Sequence, residues 1–130
     1  MAHKNFWLAI ALLWTSIIFY LCLIDSSELP SLGIKVEGFD KVVHFSFHFI
    51  FTVFWVIYLN VTNTSVTRKQ VTNVIIASFL IGVTIEFLQG EFTTTRNADI
   101  IDVLANSLGT VTSGFIMYFI VNRINKLKTQ

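Results

Sequence analysis

Cysteine, proline and charge are all scarce in this chain. It holds one Cys, Cys22, and one Pro, Pro30, among 130 residues. A lone Cys excludes an intramolecular disulfide framework and any cysteine-cluster metal site. One Pro and six Gly leave no low-complexity stretch, and no internal repeat is visible. The formal net charge of +1 removes the electrostatic footprint of a nucleic-acid binder. Charged residues amount to 13% of the chain, against roughly 25% in an ordinary soluble domain.

Apolar residues occupy the difference. They make up 54% of the sequence, and Phe alone occurs 13 times. The mean hydropathy is +0.69. A small soluble domain buries the smallest share of its surface, so it has nowhere to hide this much apolar area. The composition excludes a water-soluble module and predicts an integral membrane protein.

A helix that crosses a bilayer needs about 20 apolar residues. Four stretches meet that need: Phe6 to Ile24, Val42 to Leu59, Val71 to Leu88 and Ile100 to Val121. Their many β-branched and aromatic residues would favour strands in water. Hydrocarbon removes that option, because an open sheet edge cannot be satisfied there and four stretches cannot close a barrel. The expectation is an all-α polytopic membrane protein, a four-transmembrane-helix bundle, forming a single domain over residues 1–130. The first stretch has no small-residue cleavage site behind it, so it reads as a helix and not as a removed signal.

Lys and Arg in the flanks set the orientation. Lys4, Arg68, Lys69, Arg123, Lys126 and Lys128 fall on one side, and Lys35, Lys41 and Arg96 on the other. The richer side is expected to be cytoplasmic, which places both termini there. Asn60 to Gln70 reads as a plain inner connection. The segment Asp25 to Lys41 is longer and is expected to carry a short surface helix near Ser31 to Val36 or to lie on the interface.

The polar residues are distributed unevenly. Lys41, His44 and His48 recur at spacings of three and four and share one helical face. Glu86 and Gln89 are one turn apart at the end of the third stretch. Asp99, Asp102 and Asn106 form a stripe on the fourth, continued by Gly109 and Ser113. All of these ends are expected to face outward. A charged side chain costs about 2.5–3.5 kcal/mol at the bilayer centre and less near the interface. The cost is tolerable if acids, histidines and cations meet in one pocket. Arg96 is the expected partner of Asp99 or Asp102, and Asp99 is placed to cap the fourth helix. Each group also has a plainer reading. Glu86 and Asp102 could be a structural ion pair, Gln89 and Asn106 interhelical glue, and Lys41 a snorkelling side chain.

Three blocks carry a family resemblance. Asp40-Lys41-x-x-His44-Phe45 opens the second stretch, and Glu86-x-x-Gln89 closes the third. Arg96-x-x-Asp99-x-x-Asp102-x-x-Ala105-Asn106-x-x-Gly109 opens the fourth. In this order, each at a helix end, they resemble the VanZ-like family of small bacterial membrane proteins. Its founding member is associated with low-level resistance to the glycopeptide teicoplanin. The third loop departs from the family, since Phe92 to Thr95 places no Pro or Gly before Arg96. The resemblance implies a bacterial cytoplasmic-membrane protein of the cell envelope. It implies no defined reaction and leaves any cofactor unknown. Its characteristic positions are Asp40, Lys41, His44, Glu86, Gln89, Arg96, Asp99, Asp102 and Asn106.

The functional expectation is a site that binds or modifies an envelope lipid or lipid-linked precursor. His44, Glu86 and Asp102 are the candidates for proton transfer. Lys41, Gln89, Arg96, Asp99 and Asn106 are the candidates for holding the substrate. No residue is assigned to a metal, because no H-E-x-x-H motif is present and the spacing matches no recognised geometry. Two alternatives stand beside it. One is a divalent-metal-dependent enzyme drawing on His44, His48, Glu86, Asp99 and Asp102. The other is a non-catalytic adaptor for a membrane protein partner, with a structural polar layer. The Gly109–Ser113–Gly114 face offers a route to a homodimer.

Overall fold

The structure, a computed structural model, describes residues 2–24, 38–63, 65–94 and 97–128. Four helices contain the whole of its regular structure among these residues: α1 (Ala2–Leu23), α2 (Phe39–Thr62), α3 (Arg68–Phe92) and α4 (Ile100–Lys128). Each is long and apolar enough to cross a membrane. α2 has 24 residues, or about 36 Å at 1.5 Å per residue, against a hydrocarbon core of about 30 Å. The surplus carries polar residues at the helix ends. The surface helix expected near Ser31 to Val36 lies outside the described residues, as does Arg96.

Local chemistry fixes the helix starts. Gly38 precedes α2 with φ of 77°, a left-handed conformation that glycine adopts without a Cβ penalty. α3 begins with a capping box in which Thr67 and Gln70 satisfy each other's backbone N–H groups. The Asp99 carboxylate accepts from the Ile101 N–H at 2.8 Å and caps α4 as expected.

The C-terminal ends of α1 and α3 meet the N-terminal ends of α2 and α4 at one end of the bundle. α2 and α4 run side by side in the same direction and pack most closely. A methyl group on Gly109 of α4 would overlap the Phe45 carbonyl oxygen of α2. One turn further on, Gly114 lies against Ile75 of α3. The small-residue face expected to receive a second copy is therefore taken by the chain's own α2 and α3. Ser113 is fully buried there and bonds back to the Gly109 carbonyl at 2.8 Å.

α1 packs on the outside of this unit. Its Trp14 indole donates to the Phe47 carbonyl at 3.1 Å, and Trp55 of α2 donates to Thr15 at 3.3 Å. Apolar side chains cover the perimeter: Phe87, Leu108 and Phe115 are each more than 60% exposed. Such a surface is costly in water and neutral in lipid. The apolar core, with Ile18, Phe51, Val56 and Ile85, fills the space between helices below the polar end.

Candidate functional site

Three helices bring their acids, bases and amides into one layer at this end. α2 supplies Lys41 and His44, α3 supplies Glu86, and α4 supplies Asp102 and Asn106. The helical periods of the three stripes face inward at the same height, so groups up to 62 residues apart in sequence become neighbours.

Lys41 holds the rim. Its ammonium lies 2.7 Å from Asp40, 2.7 Å from Asp99 and 2.9 Å from Asp102 Oδ1. An ammonium has three protons, and here it has three carboxylate neighbours. The Lys41 ammonium beside Asp99 holds that carboxyl below the usual carboxylate range, helped by the Ile101 N–H. Lys41 therefore turns to the acids and does not snorkel away from them.

Beneath the rim lies His44, buried with its ring between two carboxylates. Nδ1 is 3.6 Å from Glu86 Oε1, and Nε2 is 3.8 Å from Asp102 Oδ2. The Asn106 carboxamide oxygen lies 3.2 Å from Nδ1. That oxygen can only accept, so Nδ1 carries the hydrogen. Glu86 is 3% exposed, and its Oε2 accepts from the Asp99 N–H at 3.1 Å. One donor atom each from His44, Glu86 and Asp102 lie within 4.8 Å of one another.

The VanZ/LLP1 family model matches residues 5–122. The chain belongs to the VanZ/LLP1 family. No curated protein and no solved structure matches it. The protein is thus a VanZ/LLP1 membrane protein with a buried His–Glu–Asp triad at one end of a four-helix bundle.

Not every candidate from the sequence enters the triad. Lys41, His44, Glu86, Asp99, Asp102 and Asn106 are gathered in the layer. Gln89 is buried at the same end, but its amide donates to the Cys22 carbonyl of α1 at 2.7 Å. His48, one turn deeper, pairs with Ser78 of α3 at 2.8 Å.

The layer also continues downward through residues that the sequence reading passed over. Thr52 donates to the His48 carbonyl at 3.0 Å. Its single proton is then used, so Thr110 is the donor in the 2.6 Å contact between the two hydroxyls. Gly82 forms the wall beside these groups; a Cβ there would lie 3.1 Å from Asn106 Nδ2 and 3.3 Å from the His48 ring. The signal was present as spacing. His44–His48–Thr52, Ser78–Gly82–Glu86 and Asp102–Asn106–Thr110 each repeat every four residues, a polar or small stripe on every helix of the α2–α3–α4 unit.

Proposed function

We propose that this end of the bundle faces the outer leaflet and binds the headgroup of an anionic envelope lipid or lipid-linked precursor. The observation that carries the reading is the buried His44 ring between Glu86 and Asp102, under a lysine that reaches the rim. Ionisable groups inside a membrane bundle are expensive and usually mark a ligand or proton path. Lys41 at the rim, together with Arg96, which lies outside the described residues, supplies positive charge for a phosphate or carboxylate. His44 with Glu86 or Asp102 forms an acid–base pair for proton transfer at the headgroup. Asn106 and Asp99 orient these groups, and Gln89 ties the layer to α1. The excess of basic residues at the opposite end supports cytoplasmic termini.

A place for the lipid chain lies below the layer. A cavity of about 330 Å³ between α1, α2 and α3 extends from Leu59 and Gln70, near the opposite end of the bundle, past Trp55 and Val74 to Phe51 and Ile81. Ile81 is five residues, little more than one turn, from Glu86 along α3. An acyl or prenyl tail suits such walls.

Native mass spectrometry of protein extracted in mild detergent tests the reading. The expected result is an added mass matching a lipid on the wild type, lost in Asp102→Asn and reduced in Lys41→Met while both variants stay folded. Equal lipid retention in wild type and Asp102→Asn refutes it. A bare peak throughout refutes it also and favours an adaptor.

A further inference from the structure

Charge is divided along the bundle. All five described acids, Asp40, Glu86, Glu91, Asp99 and Asp102, lie at the triad end. Among the described residues, Lys41 is the one Lys or Arg at that end, while Lys4, Arg68, Lys69, Arg123 and Lys126 lie at the other. Among the described residues, five carboxylates thus share one ammonium at this end.

The shortfall is sharpest inside the triad. The Glu86 side chain is 4% exposed, and its Oε1 has no hydrogen-bond partner. That oxygen faces the His44 ring at 3.6 Å, beyond hydrogen-bond length. Asp102 is arranged in the same way. Lys41 pairs with Oδ1 by charge at 2.9 Å, without a hydrogen bond, and Oδ2 faces Nε2 at 3.8 Å. Each carboxylate is thus anchored through one oxygen and presents the other to the same imidazole. The Nδ1 hydrogen is given to Asn106, so in a neutral ring Nε2 turns its lone pair toward a carboxylate oxygen. Two such atoms repel unless a proton or a metal ion lies between them, and a metal ion can also engage the free Glu86 oxygen.

We propose that His44, Glu86 and Asp102 hold one divalent transition-metal ion of the zinc or manganese type. An imidazole with two carboxylates suits these ions. Bonds of about 2.0–2.2 Å around a tetrahedral ion set donors roughly 3.3–3.6 Å apart. The three donor atoms already lie within 4.8 Å of one another, so a closure of about one ångström completes the shell. The outer partners are in place. Asn106 fixes the His44 tautomer, the Asp99 N–H orients Glu86, and Lys41 orients Asp102. Three protein ligands leave a coordination position open, as in catalytic sites. The inference deepens the lipid reading and rests on it only for the anion that fills this position.

The test uses the full chain in mild detergent, freed of any affinity tag, stripped with chelator and titrated separately with Zn²⁺ and Mn²⁺. Bound metal is counted by elemental mass spectrometry, and Mn²⁺ is followed by electron paramagnetic resonance. The expected result is one ion per chain, a rise in Tm on loading, and at least a tenfold loss of affinity in Glu86→Gln. His3→Ala, at the far end, retains full binding. No stoichiometric ion on the wild type overturns the proposal, whatever the variants do. So does uptake unchanged in both Glu86→Gln and His44→Asn. A wild type that takes up no ion yet retains lipid removes the ion and leaves the lipid reading standing. Metal bound at the triad of a protein that retains no lipid does the reverse.

Discussion

Replacing Gly109 with alanine tests the packing that builds the site. The new methyl would sit on the Phe45 carbonyl oxygen, with the Phe45 carbonyl carbon at 3.0 Å and Cα at 3.2 Å behind it. All three atoms are backbone of α2, so no side chain can swing aside. α2 and α4 must part by about an ångström, and overpacking of this kind costs roughly 3 kcal/mol. Alanine returns up to about 1 kcal/mol through its better helix propensity. The net loss is therefore about 2 kcal/mol. Gly114→Ala is the internal control. Its methyl meets only side-chain atoms, the Ile75 Cδ1 at 2.6 Å and Cγ1 at 2.9 Å and the Val71 Cγ1 at 3.6 Å, which can shift without parting two backbones. The cost there, about 1 kcal/mol, is nearly offset by the same propensity gain. Reversible unfolding in mixed detergent micelles reads both. The parting in Gly109→Ala also stretches the 3.2 Å His44–Asn106 contact, which spans the same two helices. Bound ligand should then fall with stability in Gly109→Ala and stay unchanged in Gly114→Ala. Equal stability of the two variants would refute the close α2–α4 contact and the argument built on it.

Lys41→Met removes the cation beside Asp102, whose side chain is 10% exposed. Breaking a fully buried pair costs about 3–5 kcal/mol; Lys41 is 28% exposed, so screening reduces the expected loss to about 1–3 kcal/mol, measurable in the same unfolding assay. The Asp99 carboxyl carries its own pH signature. Lys41 depresses its folded-state pKa, so this contribution to stability is present above the ordinary aspartate range and is lost as pH falls through the lower folded value. Carbonyl-labelled NMR should find the Asp99 midpoint below that of an unfolded Asp and should find it raised in Lys41→Met; an unmoved midpoint contradicts the ion pair. Gln89→Leu breaks the 2.7 Å bond to the Cys22 carbonyl, at a cost of about 1 kcal/mol for an interhelical bond in a membrane protein. It should release the end of α1 and speed maleimide labelling of Cys22, which is 2% exposed; unchanged labelling would show that α1 is held by its apolar face alone.

Composition and periodicity carried the architecture. The apolar stretches were long enough to span, and lipid forbids every backbone arrangement available to four of them except helices. The polar spacing on each helix marked Lys41, His44, Glu86, Asp99, Asp102 and Asn106, because a charge in a span has to be accounted for and i, i+3 and i+4 neighbours share a face. Periodicity says which face a residue occupies but not what lies opposite. It looked for the partner of Asp99 or Asp102 along the chain, in Arg96, which lies outside the described residues; it did not find Lys41, which reaches both acids across the α2–α4 contact. It counted Gln89 with the site, although that amide bonds α1. It read Gly109 and Gly114 as letting another helix approach closely, which they do, but it did not say that the helices against them are the chain's own α2 and α3. The packing of helices is set by shape, and shape belongs to pairs of helices. Only with α2 lying on Gly109 do two carboxylates, each anchored through one oxygen, come to face one imidazole from either side.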